Sequence, residues 1–213
     1  MYFGGICFIT DRTVSDLSIE DQVRTVLDAG IRFVQYREKS LTRKEILRNA
    51  EVLRRLTQDY GAKYIVNDHC DISIAVDADG AHLGQDDLPL VHARRIMGDR
   101  TVGISTHSLD EALLASAGAA DYIGFGPMYN TTTKDAGRPK GTDMLNQVRK
   151  HVHTPIVAIG GIEQDVLVDI FDAGADAVAL ASYILKADDP YRTAKRMVET
   201  VKEYERKQKA GRD

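Results

Sequence analysis

Gln35, Arg37 and Lys39, in the stretch FVQYREKS, fall on alternate positions and share one side of an extended chain, opposite Val34, Tyr36 and Glu38. A half-buried strand ordinarily turns such polar groups toward water. An amide followed by a rigid guanidinium fork and a movable ammonium charge instead suits phosphate oxygens. The competing reading is that both cations pair with acids inside the fold, which is costly unless every charge is well satisfied. Carboxylates recur in VNDHCD, with Asn67 and Asp68, and in HLGQDDLP, with Asp86 and Asp87. Each pair could merely cap the helix that follows. Together they suggest Mg²⁺, which is typically held by one or two carboxylates plus substrate phosphates. GISTHS offers the Ser105 hydroxyl to a substrate, because Ser108 is the better cap for the next helix. The long segment GFGPMYNTTTKDAGRPKG carries Thr131, Thr132, Thr133 and Lys134, a donor-rich set fit for an anion; a solvated loop is the plainer alternative. Gly160–Gly161 in AIGGI and Ala181–Ser182 in ALASY allow backbone amides to approach a phosphate monoester. Zinc is not indicated, since His69, His82 and His107 lie in no HxH or HExxH spacing and read as packing or surface residues.

These groups need elements to position them. Short β-branched runs (CFIT, RFVQYRE, KYIVN, GAHLG, TVGIS, YIGFG, PIVAIG, AVALAS) alternate with helical patterns along the whole chain. Ser18 caps a helix with Val23, Val26 and Leu27 on one face and Gly30 at its end. Thr42 and Glu45 form a capping box ahead of Ile46, Leu47, Ala50 and Leu53. Asp189-Pro190 opens the last helix, whose stripe is Ala194, Met197, Val198 and Val201. Gly-Ala pairs at 61–62, 118–119 and 174–175 punctuate three helix ends. Eight successive strand–helix units predict an α/β chain folded as a single (β/α)8 TIM barrel spanning residues 1–213, with the tail from 205 frayed. An open doubly wound sheet would want a dinucleotide glycine fingerprint after the first strand, and TDRTVSD is not one. In such a barrel chemistry sits at the carboxyl ends of the strands, where every candidate above falls.

Composition narrows the rest. A net charge of −4 argues against nucleic acid as the main partner. No apolar run approaches the roughly 18 residues of a membrane span, and MYFGGICFIT lacks a cationic leader. Cys7 and Cys70 are too few for a disulfide framework and read as buried apolar residues in a reducing compartment, so a cytoplasmic protein is expected. A homodimer is compatible with a barrel, and no residue specifies one.

Taken in order, QYREK, VNDHCDISIAVDADGAHLGQDD, GISTHS, GPMYNTTTK, AIGGI and AGADAVALAS resemble the thiamin phosphate synthase family over nearly the whole chain. The resemblance implies a transferase that joins hydroxymethylpyrimidine diphosphate to a thiazole phosphate, or its carboxylated form, giving thiamin phosphate and diphosphate. It implies Asp68 and Asp87 as Mg²⁺ ligands. Gln35, Arg37, Lys39, Asn67, Ser105 and Lys134 would hold the pyrimidine diphosphate. Thr131, Thr133, Gly161, Ala181 and Ser182 would surround the thiazole phosphate, with Thr132 in the same loop. The expected catalytic set is Arg37, Lys39, Ser105 and Lys134, acting on a leaving diphosphate with no protein nucleophile. A thiazole tautomerase-like enzyme or a non-catalytic phosphate-binding relative on the same barrel is the alternative; Asp68, Asp87 and the Pro127 that follows Gly126 speak against it. A phosphosugar isomerase would need an acid–base pair, for which Asp11 is the one tempting member. Two departures stand out: Asn130, where proline is frequent, and Thr106, where a small apolar residue is common. Neither is expected to touch a ligand.

Overall fold

The computed structural model describes residues 4–131 and 137–210. Eight parallel strands close into a barrel in chain order: β1 (Gly5–Ile9), β2 (Phe33–Tyr36), β3 (Lys63–Asn67), β4 (Gly80–Leu83), β5 (Thr101–Thr106), β6 (Tyr122–Phe125), β7 (Ile156–Ile159) and β8 (Ala177–Leu180). Outside them lie α1 (Ile19–Ala29), α2 (Arg43–Asp59), α3 (Cys70–Ala75), α4 (Leu90–Met97), α5 (Leu109–Ala117), α6 (Gly141–His151), α7 (Leu167–Asp172), α8 (Ser182–Leu185) and α9 (Pro190–Ala210). The expected barrel is therefore the observed one.

Local chemistry explains the helix ends. The Ser18 hydroxyl accepts the Asp21 N–H, and Gly30 closes α1 in the left-handed region at φ 107°. Thr42 and Glu45 make both halves of the capping box. Ser108 caps α5 by accepting the Glu111 N–H, which leaves Ser105 for other work. Two expectations need correction. The eighth strand is followed by the one-turn α8 before the long last helix, so the described residues hold one α-helix more than the eight counted from the sequence. And α9 continues to Ala210 instead of fraying near 205, although residues 206–210 are exposed.

Alternation along each strand builds two cores. Outward side chains such as Phe8, Val34, Tyr64, Ile123 and Val178 join the faces of the helices in one continuous shell. Inward side chains (Cys7, Ile9, Phe33, Ile65, Tyr122, Val157, Ala177 and Ala179) fill the barrel. Both cysteines are buried and free.

The amino-terminal rim carries a repeated clamp. Asp79, Asp121 and Asp176 stand just before β4, β6 and β8. Each carboxylate accepts a backbone N–H from the first or second residue of the preceding strand, from Tyr64 at 2.7 Å, Val102 at 2.7 Å and Ile156 at 2.8 Å. The same oxygen also accepts from an arginine of the helix before that strand, Arg54 at 3.0 Å, Arg94 at 2.6 Å and Arg149 at 2.9 Å. Its written trace is an Ala-Asp dipeptide at 78–79, 120–121 and 175–176.

Candidate active site at the carboxyl ends of the strands

The second strand delivers its polar line inward. Gln35 is buried, and its amide donates to Asn67 Oδ1 at 2.7 Å across the β2–β3 pair. Arg37 lies past the strand end, tied back to β1 by Thr10, whose hydroxyl accepts the Arg37 N–H at 2.9 Å and donates to its carbonyl at 3.1 Å. The Arg37 guanidinium stands 3.9 Å from Asp11, and the Lys39 ammonium 2.5 Å from Asp68. The pairing with acids weighed as an alternative is thus present for both cations. At 3.9 Å the Arg37 contact leaves most of the guanidinium fork unengaged by Asp11.

The sequence did not mark the residues that fix these groups. Glu38 turns away from the mouth, and its Oε1 accepts from the Lys39 N–H at 2.9 Å and from the N–H and hydroxyl of Ser40 at 2.8 Å. Arg12 holds its other oxygen at 3.0 Å. Burial would raise the Glu38 carboxyl, but the Ser40 and Arg12 hydrogen bonds outweigh it and hold Glu38 below its usual range. From α1, the buried Gln22 accepts the Asp11 N–H and donates to the Asp11 carbonyl, fixing the end of β1. The alternating pattern around Glu38 was the only available signal for this support.

Asn67 and Asp68 do not cap α3; its N-cap, His69, makes no side-chain capping bond. Asp68 instead adopts a left-handed backbone at φ 65°, with its N–H bonded to the His82 carbonyl at 2.8 Å. A non-glycine residue held there is a strained one, the kind that clusters at functional sites. Burial pushes the Asp68 carboxyl above the usual carboxylate range. Lys39 opposes the rise, and a hydrogen bond with the adjacent Asp87 carboxyl adds to it. Asp87 also accepts the Gly84 N–H at 2.6 Å, a turn that aims its side chain at Asp68. Two carboxyl groups in mutual contact, with a cation already drawn to one of them, form a donor set that fits a divalent oxygen-seeking ion.

A cavity of about 390 Å³ occupies the mouth beside this cluster. It brings together Arg37 and Ser105 on one side with Thr131, Gly161, Ala181 and Ser182 on the other. Gln35, Lys39, Asn67, Asp68 and Asp87 are not in its wall. Thr132, Thr133 and Lys134 lie outside the described residues. Gly161 has φ 65°, and a Cβ there would sit 2.5 Å from the Asn130 carbonyl oxygen. Glycine is thus required by backbone geometry and by contact with the β6 loop. Asn130 and Thr106 both line the cavity. Asp11 also reaches it, as do Glu163 and Lys186, which sequence reasoning passed over. His82, read as packing or surface, is buried inside the barrel between Tyr122 and Ser105.

Known proteins resemble this chain in sequence and fold. Residues 6–184 match the family model described as thiamine monophosphate synthase. A thiamine-phosphate synthase from Chloroflexus aurantiacus is 47% identical over 82% of this chain and 83% of its own. One from Shouchella clausii is 42% identical over 80% and 83%. The solved thiamine phosphate pyrophosphorylase from Pyrococcus furiosus superposes with a TM-score of 0.87 at 34% identity, covering 94% of this chain and 96% of that one. With a matching model over most of its length and relatives well above the identity at which families are shared, this chain belongs to the thiamine monophosphate synthase family of enzymes.

Proposed function

We propose that this chain condenses a pyrimidine methyl diphosphate with a thiazole phosphate to give thiamin phosphate and diphosphate, and that it does so with Mg²⁺. The observation that carries the reading is the mouth itself, where a cation–carboxylate cluster stands beside a cavity walled by Gly161, Ala181 and Ser182. The first region suits a diphosphate and the second a single phosphate.

Asp68 and Asp87 would hold the metal, and a bound Mg²⁺ would offset charge on the departing diphosphate. The remaining work falls to the chain. Arg37, Lys39 and Lys134 bind the diphosphate oxygens and stabilise charge as the methylene C–O bond breaks, its electron pair leaving with oxygen. The pyrimidine amino group shares the positive charge left behind. The thiazole nitrogen lone pair then forms the new C–N bond, so no side chain acts as nucleophile. Gln35, Asn67 and Ser105 orient the pyrimidine, while Thr131, Thr133, Gly161, Ala181 and Ser182 hold the thiazole phosphate, so that the two reacting atoms meet. Lys39 is released from Asp68 when its diphosphate arrives. The two buried free thiols suit a reducing, cytoplasmic setting.

The test is release of diphosphate from the mixed substrates, measured with and without Mg²⁺. Release only with both substrates and the metal supports the reading. Equal release with metal removed sinks the metal role, and no release sinks the activity.

A further inference from the structure

Between the apolar layers of the barrel interior and the mouth runs a polar column. His82 on β4 places Nδ1 2.9 Å from the Tyr122 hydroxyl and Nε2 2.9 Å from Ser105 Oγ. Room for it is made by two glycines. A Cβ at Gly103 would lie 2.2 Å from Tyr122 Cζ, and one at Gly124 would lie 3.1 Å from His82 Cε1. Strands β5 and β6 thus give up side chains to admit a phenol and an imidazole where aliphatic packing would be cheaper. Tyr122 is fully buried, and burial drives its ionisation well above the usual range, so it keeps its proton. A phenol donates strongly to an unprotonated ring nitrogen.

We infer that His82 is a positioning residue for the condensation: with Nδ1 accepting from Tyr122, its Nε2–H donates to Ser105 and turns the Ser105 hydroxyl proton toward the cavity. The Ser105 backbone is fixed as well, since the Gln85 amide donates to its carbonyl at 2.6 Å. Ser105 then meets a ligand as a directed donor instead of a free rotor. This role rests on the reading of Ser105 as a pyrimidine contact.

Nitrogen-15 NMR of the histidine rings in the full chain tests the direction of the column, with the His82 signal assigned by its loss in His82→Gln. We expect a neutral ring protonated at Nε2, and a change in that signal in Tyr122→Phe. Protonation at Nδ1, or at both nitrogens, overturns the proposal. Kinetics test the consequence. His82→Leu should raise KM for the pyrimidine diphosphate about tenfold, the scale of one lost hydrogen bond, and leave KM for the thiazole phosphate within about twofold. His82→Gln, which keeps an N–H near Nε2, should recover most of the loss. An equal loss toward both substrates, or no recovery with glutamine, marks a merely structural residue. If the unmodified protein condenses nothing, the functional reading falls on its own, while the NMR result still decides which way the column donates.

Discussion

At the amino-terminal rim Asp79, Asp121 and Asp176 each find a guanidinium and a backbone N–H at ordinary distances, in a geometry repeated on alternate strands. At the carboxyl-terminal rim Asp68 sits on a left-handed backbone against another carboxyl group, and Arg37 meets Asp11 only at 3.9 Å. The same residue types serve opposite ends. Below, each carboxylate is paired within the chain and ties strand to helix. Above, it is left partly unsatisfied, which is the state of a site that expects further charge from a ligand. The comparison separates stability from activity, and it can be broken from either side.

The largest effect is expected from the cations read as diphosphate contacts. Lys39→Ala, Arg37→Ala and Lys134→Ala should each lower kcat by about 10²–10³ with the melting temperature unchanged, and steady-state rates beside a thermal melt decide it. A variant within about threefold of wild type would refute that lysine or arginine as a leaving-group contact. Asp68→Asn should cost comparable activity yet leave stability equal or higher, because asparagine is tolerated at the left-handed φ of 65° and carries no charge against Asp87. Lost stability there would count against the contrast.

The opposite result is expected below. Asp121→Ala strands the Val102 N–H and takes the carboxylate from Arg94, which should cost about 1–3 kcal/mol with kcat/KM retained. For a chain of this size each kcal/mol lowers Tm by about 2–4 °C. Loss of activity without loss of stability would erase the distinction between the rims.

Gly161→Ala should act between the two extremes by displacing the β6 loop, raising KM for the thiazole phosphate more than that for the pyrimidine diphosphate. The smallest effect concerns pH. The Glu38 pKa is depressed in the fold, so its contribution is present above the ordinary carboxylate range and is lost as pH falls through the folded value. Glu38→Gln should therefore flatten the acid limb of a Tm–pH curve while leaving neutral-pH chemistry largely intact. An unchanged acid limb would show that the Ser40 and Arg12 contacts carry no such weight.

Periodicity and punctuation were enough to read the barrel, because strand alternation, Ser18, Thr42–Glu45 and Ser108 act through neighbours a few residues away. The inward line Gln35–Arg37–Lys39 was legible for the same reason: a period of two is a local property. The family and the strand ends to inspect could likewise be named from motifs in order. Tertiary structure alone decided which distant groups meet. Asp87 reaching Asp68, Gln22 holding Asp11, and His82 joining Tyr122 to Ser105 each connect residues on different elements, and nothing in their local sequence encodes the partner. The Ala-Asp repeat was visible in the chain, yet it became a clamp only once barrel closure brought each aspartate beside the start of the preceding strand and the arginine of the helix before that strand. Local spacing sets which face a side chain takes, while register and closure set what that face touches.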